Sequence, residues 1–194
     1  MESSKESNLI CLDTRNQEFI DELAELFVVT NPNAVISIFG KNFVVDFINN
    51  FYKSSDSSIY IYVHESKIVG YVFYLNNINT LKNVKPNNSK LLVALLKKPQ
   101  IILKILKSIN KNKFRKNFNS KTGYLMYLGI RKEFQGSGFG QDLVNSSIKL
   151  LPNTVTHVVT DTKLNKVELF FQKCKFNTIY SVENSFYLMM RDLN

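Results

Sequence analysis

The spacing of apolar residues changes several times along the chain, and each change predicts a new element of secondary structure. Apolar residues recur every three to four positions over residues 19–27 and 43–51, which predicts two amphipathic helices. Residues 59–63 and 68–75 are rich in β-branched and aromatic side chains and flank a short polar stretch, so they predict a β-hairpin. Residues 9–12 form a short apolar run that predicts a strand before the first helix.

The last third of the chain alternates between the two kinds of pattern, which is typical of a mixed α/β fold. The predicted elements, in order, are a strand at 124–130, a glycine-rich turn at 135–140, a helix at 143–151, a strand at 155–160, a helix at 164–173 and two strands at 176–182 and 186–190.

The middle of the chain, residues 76–121, is rich in asparagine and lysine. Within it, residues 90–109 have a helical pattern that Pro99 interrupts, which predicts two short helices. Two interpretations of the second helix stay open. It packs on the core with its lysines in solvent, or residues 97–116 contact a membrane surface as a basic amphipathic helix.

Composition favours one compact domain over residues 1–194, because 44% of the 194 residues are hydrophobic and 21% are charged. The two cysteines, Cys11 and Cys174, have no partner at metal-ligand spacing, which predicts neither a disulfide framework nor a metal site. The first eight residues are polar and no apolar run reaches the length of a membrane helix, so we expect neither a signal peptide nor a membrane span. We therefore expect a cytoplasmic protein.

The net charge of +9 comes from one segment, because residues 82–121 hold twelve lysines and arginines and no acid, which leaves −3 for the rest of the chain. Such a local excess favours a surface that faces an acidic ligand or phospholipid, and it argues against a nucleic-acid-binding protein. A solvated face without a ligand is the alternative interpretation. Oligomeric state has no signature in the sequence.

The stretch from Gln135 to Gly140 carries the strongest chemical signal, because three glycines alternate between a predicted strand and a predicted helix. Glycines leave the backbone uncovered, so its N–H groups can approach a phosphate at the helix N-terminus. A triphosphate loop needs Gly-Lys followed by Ser or Thr, whereas Gln141 and Asp142 follow Gly140. A dinucleotide fingerprint needs its third glycine at position 141, so that design is excluded as well.

The remaining pattern, Gln135-x-x-Gly138-x-Gly140, resembles motif A of the GCN5-related N-acetyltransferase (GNAT) superfamily. The preceding residues 128–135 resemble that family's fourth strand, and residues 165–176 resemble the helix that carries its Asn, Phe-Tyr and Gly-Phe positions. The resemblance is closest to a branch with a helical insertion between strands three and four, marked here by residues 43–52 and 91–106. It implies a mixed α/β fold with a mostly antiparallel sheet of about seven strands, flanked by helices and splayed between strands four and five.

The resemblance also implies which residues bind acetyl-coenzyme A (acetyl-CoA). Free backbone groups of the fourth strand would pair with the pantetheine arm, and the Ile130 amide would face the thioester carbonyl as the oxyanion donor. The loop would hold the pyrophosphate, and Asn165 would contact the arm. The expected donor-binding residues are Leu128, Gly129, Ile130, Arg131, Gln135, Gly136, Ser137, Gly138, Phe139, Gly140, Gln141, Asn165 and Phe171.

The chain departs from the family at the positions that handle protons. Phe171 stands where the family commonly has a tyrosine that protonates the leaving thiolate, so Cys174 or a water is left as the alternative acid. Tyr127 is a candidate to pass the amine's proton through water, or it is a core residue. Asp161 is a candidate to orient the substrate amine, or it caps the next helix at Leu164.

These observations lead to the expectation of an acyltransferase that moves an acetyl group from acetyl-CoA to a primary amine of a small molecule, with no metal. An amino sugar or a nucleotide-linked amino sugar is the candidate acceptor. The alternatives are a catalytically impaired CoA-binding regulatory module and an acetyltransferase that acts on protein amines.

Overall fold

The computed structural model describes residues 7–13, 17–83, 118–182 and 186–193. The strands in these ranges are β1 (Ser7–Cys11), β2 (Ser57–His64), β3 (Lys67–Leu75), β4 (Thr122–Ile130), β5 (His157–Thr162), β6 (Asn177–Val182) and β7 (Phe186–Asp192). The helices are α1 (Ile20–Thr30), α2 (Val35–Ile38), α3 (Lys41–Phe51), α4 (Phe139–Ile148) and α5 (Asn165–Lys173). Short 3-10 turns lie at Gln17–Phe19, Ile78–Asn83 and Lys132–Phe134.

Within the described ranges, the seven strands form one open sheet in the order β1-β2-β3-β4-β5-β7-β6. Neighbouring strands are antiparallel except β4 and β5, which run parallel. The connection from β4 to β5 passes through α4, as a parallel pair requires.

Helices cover the two faces of this sheet, and side chains alternate between them along each strand. In β4 and β5, Tyr124 and Val159 point to the cluster formed with α1 and α3. Their neighbours Leu125 and Val158 point to the cluster that contains residues of α4 and α5. We call these two sides the α1/α3 face and the α4/α5 face.

The predicted fold class and order of elements are confirmed in the described residues. Three details differ. Helix α2 was not predicted, because its four residues are too few to show a helical period. Helix α4 ends at Ile148, before the predicted end at residue 151. The third is a correction: α3, which includes residues 43–51, lies between β1 and β2, so it does not mark an insertion between strands three and four.

The segment between β3 and β4 covers residues 76–121, and its described ends include the 3-10 turn Ile78–Asn83. The predicted helices over residues 90–109 and most of the basic segment lie outside the described residues. In the ranges that are described, no helix is long and apolar enough to cross a membrane.

Candidate functional site

The sheet splits between β4 and β5. Their pairing covers only three positions, from Thr122 opposite His157 to Tyr124 opposite Val159, and then the strands separate. A bulge in β4 accompanies the split: Leu125 and Tyr127 pair with consecutive residues of β3, so Met126 is the extra residue. Across the opening, the Thr160 hydroxyl donates to the Leu125 carbonyl at 3.1 Å, which replaces a strand-to-strand bond with a side-chain bond.

Beyond the split, none of the described strands pairs with one edge of β4. The Arg131 N–H donates to the Val69 carbonyl of β3 at 2.8 Å, and backbone direction alternates along an antiparallel strand. The N–H groups of Leu128 and Ile130 therefore point away from β3, toward the opening. The side-chain amide of Gln135 donates a 2.9 Å hydrogen bond to the Ile130 carbonyl, which links the loop to the end of β4.

The glycine loop follows β4 and leads into α4, as the sequence predicted. Gly136 and Gly138 have φ angles of +84° and +92°, which a residue with a Cβ rarely adopts. Gly138 is the N-cap of α4, and its carbonyl accepts from the amides of Gln141 and Asp142. Among the described residues, no hydrogen bond takes up the backbone N–H groups of residues 136–140. The loop therefore offers a run of donors at a helix N-terminus, where an anion is favoured.

The open edge and the glycine loop line one groove of about 790 Å³. Its walls come from both faces of the sheet, because Thr30 and Asn31 lie at the end of α1, whereas Val167 and Phe170 belong to α5. The groove therefore passes through the split. Of the predicted site residues, the groove is lined by Tyr127, Leu128, Gly129, Ile130, Gln135, Gly136, Gly138, Gly140, Gln141, Asp161 and Phe171.

The charges on the groove wall differ between the two faces. Lys166 and Lys173 lie seven residues apart on α5, two helical turns, so both point to the same side of that helix. Asp161 follows Val159 by two positions in β5, so its side chain is on the α1/α3 face. Among the described residues that line the groove, Asp161 is the only one with an acidic side chain. The two lysines were not identified from the sequence, where surface lysines are too common to single out.

Four predicted binding residues do not line the groove, and their side chains make other contacts. Arg131 donates to the Glu22 carboxylate at 2.7 Å and to the Ile68 carbonyl at 3.0 Å, so it joins α1 to the sheet. The Phe139 ring packs against His64 and Phe134. Ser137 Oγ donates to the Phe134 carbonyl at 2.6 Å. Asn165 Oδ1 accepts a hydrogen bond from the Tyr187 hydroxyl at 2.7 Å.

Phe171 and Cys174 are both buried, which bears on the source of the proton for the leaving group. The Phe171 ring is 3% exposed and packs against Phe170 and Phe176. Cys174 has no exposed surface and does not line the groove, and burial raises the pKa of its thiol to about 11. The alternative in which Cys174 is the acid is therefore wrong, because the buried thiol does not reach the groove.

Tyr127 lines the groove, and its ring also lies in an aromatic cluster. The ring centroid is 4.8 Å from that of Phe27, and the rings of Phe47 and Phe73 are within 6.2 Å. The structure therefore gives Tyr127 a packing role in addition to its place on the groove wall. Its part in proton transfer stays a prediction.

Asp161 accepts a 2.5 Å hydrogen bond from the hydroxyl of Tyr124, which lies on the opposite side of the split. The predicted alternative, in which Asp161 caps the next helix, is wrong. The backbone N–H of Leu164 donates to the Thr162 hydroxyl at 3.2 Å instead. The carboxylate of Asp161 is thus held at the split between the strands.

A polar cluster at the end of α1 was missed in the sequence. Thr30 Oγ1 donates to the Leu26 carbonyl at 2.8 Å, so it accepts from the hydroxyl of Tyr71 at 2.7 Å. The side-chain amide of Asn31 in turn donates to the Tyr71 oxygen. Burial raises the pKa of Tyr71, which keeps it a donor. A Cβ at Gly129 would lie 2.5 Å from Thr30 Oγ1 and from the Tyr71 ring, so glycine permits this close approach.

The two histidines lie outside the groove wall. The His64 ring packs against the rings of Phe134 and Phe139, which flank the glycine loop. His157 contacts the Thr156 hydroxyl at 2.8 Å and the Asp192 carboxylate at 3.2 Å. A second cavity of about 480 Å³ lies near His157, at the amino end of β5, where Lys149, Lys175 and Arg191 line it. The glycine loop contributes nothing to that cavity.

Comparison with known proteins agrees with this geometry. Residues 20–176 match the family model described as the acetyltransferase (GNAT) family. No curated protein matches the sequence.

Solved structures have the same fold at low sequence identity. An acetyltransferase from Thermus thermophilus is 13% identical with a TM-score of 0.61, over 96% of this chain and 97% of that one. A Bacillus subtilis acetyltransferase in complex with CoA is 12% identical with a TM-score of 0.55, over 97% and 100%. The aminoglycoside acetyltransferase AAC(6')-Ib in complex with coenzyme A is 12% identical with a TM-score of 0.62, over 97% and 95%.

Proposed function

Because this chain belongs to the acetyltransferase (GNAT) family, we propose that it moves an acetyl group from acetyl-CoA to a primary amine of a small molecule. One observation carries the proposal: the open edge of β4 and the three glycines of the loop, Gly136, Gly138 and Gly140, line the same groove. A single ligand that is anionic at one end and amide-like along its arm fits this arrangement. The pyrophosphate and pantetheine arm of acetyl-CoA have that chemistry.

The pyrophosphate is assigned to the loop. Amides of residues 136–140 are oriented donors, and the dipole of α4 adds to their attraction for an anion. Lys166 and Lys173 place positive charge on the same side of the groove. The side chains of Ser137 and Phe139 are engaged elsewhere, so these residues would contribute their backbone N–H groups.

The acyl end is assigned to β4. The outward N–H groups of Leu128 and Ile130 are the available donors, and the one nearest the thioester carbonyl would stabilise the oxyanion. We assign this role to Ile130. The neutral amine attacks the carbonyl carbon, a C–N bond forms, and the tetrahedral intermediate collapses with cleavage of the C–S bond.

The proton balance uses water on the leaving-group side. The amine loses one proton as the amide forms, and the departing thiolate gains one. Phe171 has no proton to give, and Cys174 does not line the groove. Water is therefore the proposed acid, and a thiolate is a good enough leaving group for this to suffice. The hydroxyl of Tyr127 is the proposed relay for the proton of the amine.

The acceptor is proposed to be a small molecule because the groove passes through the split in the sheet and is lined by side chains on both the α1/α3 face and the α4/α5 face. AAC(6')-Ib, which shares the fold, is an aminoglycoside acetyltransferase, so a small amine-bearing acceptor has a precedent.

Thiol release tests the proposal. The chain is incubated with acetyl-CoA and a panel of amines that includes amino sugars and polyamines, and free CoA thiol is measured with a colorimetric reagent. Acetyl-CoA binding is measured in parallel by calorimetry. We expect binding and amine-dependent thiol release. If acetyl-CoA binds but none of the amines causes thiol release, the proposed enzymatic function is contradicted. If acetyl-CoA does not bind, the assignment of the groove as its binding site is contradicted as well.

The second candidate is a CoA-binding regulatory module with impaired catalysis. The observation in its favour is that Phe171 packs between two aromatic rings, so a hydrocarbon side chain occupies the family's acid position. The same experiment separates it from the enzyme, because this module binds acetyl-CoA and releases no thiol. Acetylation of a protein amine would instead appear by mass spectrometry of a partner.

A further inference from the structure

The groove joins the two faces of the sheet, and the charged residues that line it differ between these faces, which bears on the acceptor. Lys166 and Lys173 lie on α5, on the side of the glycine loop, whereas Asp161 lies on the α1/α3 face. The proposed donor is anionic and fits the side with the lysines. The acceptor then meets the carboxylate on the opposite face.

The Asp161 carboxylate is held in place. The Tyr124 hydroxyl donates to it at 2.5 Å, and the Tyr124 ring is 6% exposed, so the donor is anchored in the core. Because β4 and β5 pair only as far as Tyr124 and Val159, this carboxylate sits where the groove begins. A fixed carboxylate at the mouth of a groove is a docking point for a cation.

Asp161 and the proposed reacting centre are separated along the sheet. Asp161 is two residues past Val159, which lies opposite Tyr124, so in the parallel register it is level with Met126. Met126 precedes Leu128 by two residues and Ile130 by four, which is roughly 7–13 Å in an extended strand. The ammonium group that docks on Asp161 is therefore a different group from the amine that attacks the thioester. A substrate that reaches both points carries two amino groups joined by a chain.

The other rim of the same face is polar as well. Asn31 donates its amide N–H to the Tyr71 oxygen and to Thr30 Oγ1, which directs its Oδ1 away from that cluster. The cluster contacts the backbone at Gly129, beside Ile130. Asn31 Oδ1 is therefore available as an acceptor for an amine N–H near the reacting end.

We propose that the acceptor is a diamine or polyamine whose distal ammonium group docks on Asp161, a carboxylate positioned by Tyr124. This rests on the proposed function. Anionic amines, including nucleotide-linked amino sugars, are disfavoured because their phosphate would face the carboxylate. The proposal thus narrows the acceptor from any primary amine to one with a second positive charge.

A matched pair of substrates tests the second charge. Butylamine and 1,4-diaminobutane differ only in the distal amino group, and spermidine extends the chain further. Glucosamine and glucosamine 6-phosphate differ only in the added negative charge. For the unmodified chain we expect kcat/KM to rise from butylamine to spermidine and to fall from glucosamine to its phosphate. The reverse order in either pair would overturn the proposal.

Two variants assign the effect to the carboxylate. Asp161→Asn keeps the shape and removes the charge, and we expect kcat/KM for spermidine to fall about 10- to 100-fold, through KM. Butylamine should change less than about threefold, because it lacks the distal group. Tyr124→Phe retains the Asp161 carboxylate and removes the hydroxyl that positions it. It should raise KM for spermidine by a smaller factor than Asp161→Asn does, with kcat unchanged.

Glu168→Gln is the matched control, since Glu168 is outside the groove lining, bonds to Thr178, and gives the same change of charge. It should leave all five amines unchanged, and acetyl-CoA affinity should be unchanged in every variant. If Asp161→Asn and Tyr124→Phe reduce spermidine and butylamine equally, the docking role is wrong although the proposed function stands. If acetyl-CoA does not bind to the unmodified chain, both the docking role and the proposed function are wrong.

Discussion

The proposed donor side and the proposed acceptor side of the groove are formed by different parts of the chain, backbone on one side and side chains on the other. The donor side uses backbone: the outward amides of β4 and the free N–H groups of residues 136–140. The acceptor side uses side chains, among them Asp161, Tyr127 and Asn31. Backbone amides are the same in every sequence, so glycines that expose them can be read from the chain alone. Side chains differ from protein to protein, so the acceptor and the proton route depend on the structure.

Removal of one backbone donor should give the largest effect. Ile130→Pro deletes the proposed oxyanion N–H, which points away from β3, so no bond within the sheet is lost. We expect kcat to fall on the order of 100- to 1,000-fold, with a smaller change in acetyl-CoA affinity. Steady-state kinetics and calorimetry measure the two quantities.

Ile130→Val retains the N–H and serves as the control for Ile130→Pro. Circular dichroism checks that both variants fold. A kcat within about threefold of the valine variant would contradict the role of this amide. A larger loss in Leu128→Pro than in Ile130→Pro would move the donor two residues back along β4.

The glycine loop should give the next largest effect, on binding. Gly138→Ala forces a Cβ into a conformation with φ of +92°, which distorts the loop or costs about 1–2 kcal/mol of stability. We expect acetyl-CoA affinity to fall about 10- to 100-fold, because each displaced amide loses a charge-assisted bond to phosphate. Calorimetry measures the affinity.

Gly40 offers a control for strain at a positive φ away from the groove. Its φ is +93°, close to that of Gly138, but its ψ is 175° where Gly138 has −20°, a region in which an added Cβ is strained at least as much. Among the described residues nothing lies within 4 Å of an added Cβ at Gly40, which caps α3 and does not line the groove. Gly40→Ala should lower the free energy of unfolding without changing acetyl-CoA affinity. Equal losses of affinity in the two variants would mean that strain, and not the loop amides, sets binding.

Tyr127→Phe tests the side-chain contribution to proton transfer. The substitution keeps the ring among Phe27, Phe47 and Phe73, so the free energy of unfolding should change little. If the hydroxyl relays the amine proton, kcat falls about tenfold at neutral pH. Rates at saturating amine measure this. An unchanged kcat would leave Tyr127 with its packing role only.

Phe171→Tyr should give the smallest effect. It restores the hydroxyl that the family commonly has, at a side chain that is now 3% exposed. Because a thiolate leaves readily, we expect kcat to change less than about threefold. A much larger increase in kcat would show that protonation of the thiolate limits the rate of the unmodified chain.

Most of the fold could be predicted from the sequence, because the periods of the described strands and helices are clear. The hairpin at β2 and β3 and the glycine turn before α4 follow from β-branched runs and from glycine spacing. The boundaries of the elements were less predictable. The predicted end of α4 was residue 151 and the observed end is Ile148, because helical spacing alone does not mark where a helix ends.

The side-chain half of the site could not be predicted in the same way. The bond between Tyr124 and Asp161 joins residues 37 positions apart, and the Tyr71 cluster joins residues 40 and 41 apart. Such contacts depend on how strands and helices pack, for which one sequence contains no local signal. The sequence identified Asp161 as a candidate residue. It did not show that Tyr124 holds Asp161 in place, nor that Thr30 and Asn31 form a cluster with Tyr71.

The central claim is that one groove binds CoA through backbone amides, and amide chemical shifts test it directly. A nitrogen-proton correlation spectrum is recorded as CoA is added to the ¹⁵N-labelled chain. We expect the largest shifts at the amides of Leu128, Ile130 and residues 136–140. Shifts confined to the second cavity, around residues 148–156, with the loop amides unmoved, would contradict it.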